Sequence, residues 1–219
     1  MTAIIVRNLS EQLVEQVRDR ILSGAAMADL PIRQDALAAE LGVSKIPLRE
    51  ALTRLEQEGL LRSEANRGFF VRALSTDEAE EVYALRLKLE PEAAALAATR
   101  ATAAERRHAE ATLARLDTAT NEHGDGVGAF NRSFHLALIR PARQPVTTNI
   151  LERLQVLSER YVRKHLESLG RDERANEEHG RLLGSWLARD GDAVAAQMRA
   201  HIGQTLTDLR RQLGGTGEN

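Results

Sequence analysis

Apolar residues in the first sixty positions recur at helical spacing in three separate runs. Leu13, Val14, Val17, Ile21 and Leu22 lie three or four residues apart behind Ser10, whose hydroxyl suits a helix N-cap, and Gly24 ends the run. Pro31 breaks the chain. A short helix is predicted from about Arg33 to Leu41, and Gly42 supplies a residue free to take positive φ at its end. Ser44 is placed to cap a third helix, whose apolar stripe is Leu48, Leu52 and Leu55, with Gly59 just past its end. The period then changes. LLRSE and FFVRAL are short extended runs on either side of Ala65, Asn66, Arg67 and Gly68, and they predict a hairpin.

From Ser75, a cap for the turn that begins Asp77-Glu78, the pattern is helical throughout. Breaks are expected near Ala101–Thr102, Asn121–Asp125, Arg140–Pro145, Gly170 and Asp190–Gly191. Six helices of roughly 15–25 residues would then form an antiparallel bundle. The predicted fold class is mainly α. A winged helix-turn-helix spans 1–74, an all-α helical bundle that also dimerises spans 75–213, and GGTGEN at 214–219 forms a disordered tail. A chain of 219 residues exceeds the ordinary domain of about 100–150, which agrees with two units.

Charge alone does not announce a partner. The net charge is −2, and residues 1–74 carry ten basic and ten acidic side chains, so any nucleic-acid interface must come from placement. The absence of cysteine excludes disulfides and thiolate metal ligands. The opening MTAIIVRNLSEQL has neither a long apolar run nor a cleavage site, and no stretch approaches the roughly 18 apolar residues of a membrane span. A cytoplasmic protein without a membrane partner is expected.

Helix, short helix, glycine turn, third helix and hairpin is the layout of a winged helix-turn-helix, in which the third helix enters the major groove. There Lys45 and Arg49 share a face, with Ile46 beside them, while the leucines face the other way. Ser44, Lys45 and Arg49 sit at the helix start, where base edges and phosphates are met, and Arg49 can pair bidentately with a guanine. At the hairpin tip, Arg67 offers a cation beside Gly68, which lets backbone approach the sugar-phosphate surface. Singly, each basic residue reads as a solvated surface charge. In this order they read as an interface, although Asp35 at the start of the second helix would repel a phosphate.

The segment LAAELGVSKIPLREALTRLEQEGLL followed by NRGFFV resembles the head of the GntR family. The resemblance implies binding of double-stranded operator DNA, an inverted repeat, by a homodimer. Its contacts would come from Ser44, Lys45, Arg49, Arg67 and Gly68, with Arg33 as a further candidate. Lys45 stands where arginine is commoner in the family, and Ile46 where threonine is common.

All six histidines follow residue 100. His108, His123 and His165 have charged or loop neighbours and are expected to be exposed. His135 shares a face with Leu138 and Ile139, His179 with Leu182, Leu183 and Trp186, and His201 with Met198 and Ile202. Each alone reads as a hydrogen-bonded core histidine. Three in one small unit point instead to a shared divalent metal, because burying three imidazoles without a common partner is costly. Asn131, one turn before His135, can add a carbonyl oxygen. Such a donor set suits zinc, nickel or manganese.

The pieces EVYALRLKLEPEAAALAA, FNRSFHLAL, EEHGRLL and AQMRAHI resemble the FCD ligand-binding domain of the FadR subfamily of GntR regulators. The resemblance implies metal ligation by Asn131, His135, His179 and His201, with asparagine where aspartate is commoner. It also implies a small carboxylate or hydroxy-acid effector faced by Arg86, for which a surface salt bridge to Glu90 at i+4 is the alternative. The expected function is transcriptional regulation, with repression favoured. A metal-dependent enzyme is the second reading, with Glu177 or Glu178 as base, but no Walker loop, HExxH or Ser-His-Asp set is present and no enzyme is expected. An effector-independent architectural DNA-binding dimer is the third.

Overall fold

The computed structural model describes residues 2–24, 26, 28–121, 127–165 and 172–215, and the chain divides into two compact units, Met1–Leu74 and Ser75–Asn219. The first holds α1 (Thr2–Leu22), α2 (Gln34–Glu40), α3 (Lys45–Gln57), β1 (Leu61–Glu64) and β2 (Gly68–Val71). The predicted stripes form its core: Leu13, Val14, Val17, Ile21 and Leu22 of α1 meet Leu48, Leu52 and Leu55 of α3, all buried. Arg18 joins the same two helices with a bidentate pair to Glu58 at 2.8 and 3.1 Å.

Two local expectations change. α1 begins at Thr2, so Ser10 lies inside the helix and does not cap it. Ser44 occupies the N-cap position of α3, but its side chain makes no cap hydrogen bond there, whereas the Ser75 hydroxyl accepts one from the Glu78 amide at 3.4 Å. The hairpin is antiparallel with Leu61 opposite Val71 and Glu64 opposite Gly68. Gly68 at φ +88° and Asn66 at φ +61° take up its left-handed turn positions. The far edge of β2 is paired too. Asp29 and Ile32 donate to Val71 and Phe69 at 3.0 and 2.8 Å, and Pro31 bridges Phe70. Proline fits an edge position because it has no amide to leave unpaired.

The second unit is helical: α4 (Thr76–Arg100), α5 (Ala103–Asn121), α6 (Val127–Ile139), a 3₁₀ turn at Arg140–Ala142, α7 (Pro145–His165), α8 (Asp172–Leu187) and α9 (Gly191–Gly215). α9 therefore runs two residues into the segment expected to be disordered from 214, and residues 216–219 lie outside the described residues. α4 is the central helix, packed along α9 and α7, while α5 packs on α6. Ala93, Ala94, Ala97 and Ala98 are buried on α4, small enough for close helix approach. Trp186 is fully buried, and its indole N–H donates to the Leu138 carbonyl at 3.1 Å, which ties α8 to α6. Among the described residues no helix is long and apolar enough to cross a membrane.

Candidate functional site

In the first unit the residues expected to meet DNA are all on the surface. Ser44, Lys45 and Arg49 are exposed at the start and first turns of α3, with Ile46 73 % exposed beside them. The Lys45 ammonium is paired with Asp35 at 2.5 Å, so the acid expected to repel phosphate neutralises the neighbouring cation in the free protein. Arg67 at the hairpin tip pairs with Glu64 and lies over the Phe70 ring, 5.2 Å from its centroid, next to half-exposed Gly68. Arg33 is exposed at the N-cap of α2. The pairs at Lys45 and Arg67 are exposed and screened by solvent, so an approaching phosphate can displace the carboxylates.

The second unit encloses a cavity of about 100 Å³ among α4 to α9. His135 of α6, His179 of α8 and His201 of α9 converge on its wall. Ring centroids lie 5.4 Å apart for His135–His179, 5.3 Å for His135–His201 and 4.7 Å for His179–His201, and one ligand nitrogen from each lies within 4.8 Å of the others. Asn131 lines the same cavity one turn before His135. Bonds of about 2.0–2.1 Å in tetrahedral geometry place ligand nitrogens about 3.4 Å apart, so a single ion would require the rings to draw together by roughly 1 Å.

The hydrogen bonds of this cluster are lopsided. His135 Nδ1 is 2.7 Å from Glu90 Oε1, and His201 Nδ1 is 2.7 Å from Glu178 Oε2. His135 Nε2 and both nitrogens of His179 are buried without any partner. Three orphaned nitrogens in one cluster are costly, at about 1–3 kcal/mol each. Burial pushes the His179 imidazolium well below the ordinary range, helped by His201 and His135, and burial lowers His135 despite Glu90. Both imidazoles are therefore neutral near pH 7, which is the form that ligates. His108 is exposed as expected, whereas His123 and the side chain of His165 lie outside the described residues.

Arg86 settles between its two readings in an unforeseen way. It lines the cavity, yet its Nε and Nη2 are turned onto Glu90 at 2.8 and 3.3 Å, and Nη1 reaches Ser158 at 3.1 Å. The pair is not on the surface: Arg86 is 5 % and Glu90 0 % exposed. Glu90 also accepts from Gln155 at 2.7 Å. Burial alone would raise its carboxyl, but Arg86 and His135 outweigh this and hold it at about 2. Sequence periodicity missed the roles of Glu90 and Glu178, because each acts across helices. Their only signal was proximity, Glu90 one turn from Arg86 and Glu178 next to His179. A further arginine, Arg132, lines the cavity and pairs with Glu159; Gly128 faces that carboxylate so closely that an added Cβ would lie 2.5 Å from it.

Comparison with known proteins matches residues 9–71 to bacterial regulatory proteins of the gntR family and residues 81–204 to the FCD domain. The HTH-type transcriptional regulator BphR of Paraburkholderia xenovorans is 30 % identical over 215 residues, covering 94 % of this chain and 87 % of BphR. The Nta operon transcriptional regulator of Aminobacter aminovorans is 32 % identical over 171 residues, covering 78 % and 80 % respectively. The fold matches that of McbR/YncC of E. coli with a TM-score of 0.81 at 24 % identity, over 94 % of this chain and 98 % of that one. With a gntR-type DNA-binding head joined to an FCD unit, the chain belongs to the GntR family of bacterial transcriptional regulators and is not an enzyme.

Proposed function

We propose that this regulator is a homodimeric, cytoplasmic repressor that binds an inverted-repeat operator and is controlled by a small carboxylate or hydroxy acid held in a metal-containing pocket of its helical unit. The observation that carries the metal is the convergence of His135, His179 and His201 on one cavity, with His135 Nε2 and both nitrogens of His179 buried without a partner. His135, His179 and His201 would hold a divalent ion such as zinc, nickel or manganese, with Asn131 as the oxygen donor. When bound, the ion supplies a charge of +2 that its neutral ligands do not cancel, and so attracts an anion.

The cavity limits the effector's size. At about 100 Å³ it is smaller than the roughly 150 Å³ cavity that admits benzene, so it suits an acid of a few carbon atoms. Arg86 borders the effector but spends its bidentate edge on Glu90, so its part is a single donor and a fixed positive field. Asn131→Asp adds a negative ligand and is expected to tighten metal binding about tenfold, read by competition with a chromophoric chelator. Unchanged affinity would take Asn131 out of the ligand set.

On the DNA side, Ser44, Lys45 and Arg49 of α3 enter the major groove and Arg67 and Gly68 approach the backbone, with Arg33 at the margin. Effector and operator must then be coupled reciprocally, by a factor of about 5–150. The test selects operator sequences from random DNA and titrates a panel of small hydroxy acids into the protein with and without the selected site. Equal effector affinity in both titrations would remove the sensing role.

A further inference from the structure

Two carboxylates stand directly behind the histidine cluster, and nothing in the ligand set itself accounts for them. A carboxylate oxygen of Glu90 on α4 and one of Glu178 on α8 each lie 2.7 Å from the Nδ1 of a different imidazole, and an ionised carboxylate can only accept. A histidine whose Nδ1 carries the proton has its lone pair on Nε2. That is the nitrogen His135 leaves without a partner. We propose that Glu90 and Glu178 are the positioning residues of the metal site: they fix His135 and His201 as Nδ1–H tautomers with Nε2 aimed at the ion. The inference rests on the reading of His135, His179 and His201 as metal ligands.

Two further features fit this role. Glu90 is itself held in place by Arg86 and Gln155 and so presents one oxygen to its imidazole in a fixed direction, while Glu178 has a looser ion pair with Arg174 at 3.4 Å. His179 has no such carboxylate on either nitrogen. The arrangement is thus two oriented ligands and one unoriented one. A carboxylate behind a ligating histidine also raises the basicity of the imidazole, and removing such a partner generally weakens metal binding about 10–100-fold.

The experiment uses the full-length protein without a histidine tag, stripped of metal and titrated with zinc and nickel alone. Wild type is compared with Glu178→Met, which removes the acceptor at a partly exposed position, Glu178→Gln, which keeps an acceptor but no charge, and Glu90→Gln. Glu178→Met is expected to bind metal about 10–100-fold more weakly, with Glu178→Gln recovering part of the loss. Long-range ¹⁵N NMR of the metal-free protein should show His201 as the Nδ1–H tautomer in wild type and as a tautomer mixture in Glu178→Met, a change that loss of packing alone would not produce. Should Glu90→Gln fail to fold because Arg86 is left buried and unpaired, Arg86→Met combined with Glu90→Gln removes both charges and restores the comparison. Wild type binding no metal would overturn the ligand assignment itself. Wild type binding metal while folded Glu178→Met binds equally well, with His201 still in the Nδ1–H form, would overturn only the positioning role.

Discussion

His179→Ala is expected to abolish stoichiometric metal retention, lowering affinity by more than about a hundredfold, because even partners behind a ligand are worth about 10–100-fold. Neither ring nitrogen of His179 has a hydrogen-bond partner, so no other polar contact is lost with the ring. Elemental analysis of untagged protein should find near one equivalent of metal in wild type and a small fraction in the variant. Less than a tenth of an equivalent in wild type, with a melting temperature unmoved by zinc or nickel, would leave three core histidines and no site.

The same residue governs the pH response of the metal-free protein. In the unfolded chain an imidazole titrates near about 6.5. In the folded chain His179 and His135 are pushed lower by burial. Below about pH 6.5 the unfolded state therefore binds protons that the folded state refuses, so stability is full above that pH and falls as the pH drops. The melting temperature of the helical unit should follow this course, with a shallower acid limb in His179→Ala. For the same reason protons compete with metal at His135 and His179 below the ordinary imidazole range, a lower window than residue type alone suggests.

Arg49→Ala is expected to weaken operator binding by about 1–3 kcal/mol per half-site and to relax base preference at one position in each. Arg49 is exposed and makes no ion pair among the described residues, unlike Lys45 and Arg67. On the proposed reading, its guanidinium would reach a base without first surrendering a carboxylate. Arg67→Ala should act differently, weakening all sequences alike and reducing the salt slope by about one. Binding measured at several salt concentrations on selected and scrambled sites separates the two. If Arg49→Ala kept both the affinity and the base preference of the parent, the reading face of α3 would have to be placed elsewhere.

Much of this protein is local and was legible in its sequence. The leucines of α3 recur at helical spacing because one face must be buried, and the hairpin shows itself by a change of period at a turn that needs left-handed residues. His135, His179 and His201 lay on apolar faces for the same periodic reason, so their convergence was a reasonable expectation. What periodicity cannot convey is which groups meet across helices. Pro31 read as a break, yet its segment completes the edge of β2, because pairing between distant segments leaves no local pattern. Arg86 and Glu90 read as a possible surface pair at i+4, and only packing of α4 against α6 and α7 buries them and turns Glu90 onto His135. Glu178 read as a neighbour pointing away from His179. That is correct on its own helix, and it is the reason the carboxylate reaches His201 on α9. Sequence spacing determined which face each side chain occupies. Tertiary packing alone decided what stands opposite, since partner choice is set by the long-range approach of helices and not by the residues beside them in the chain.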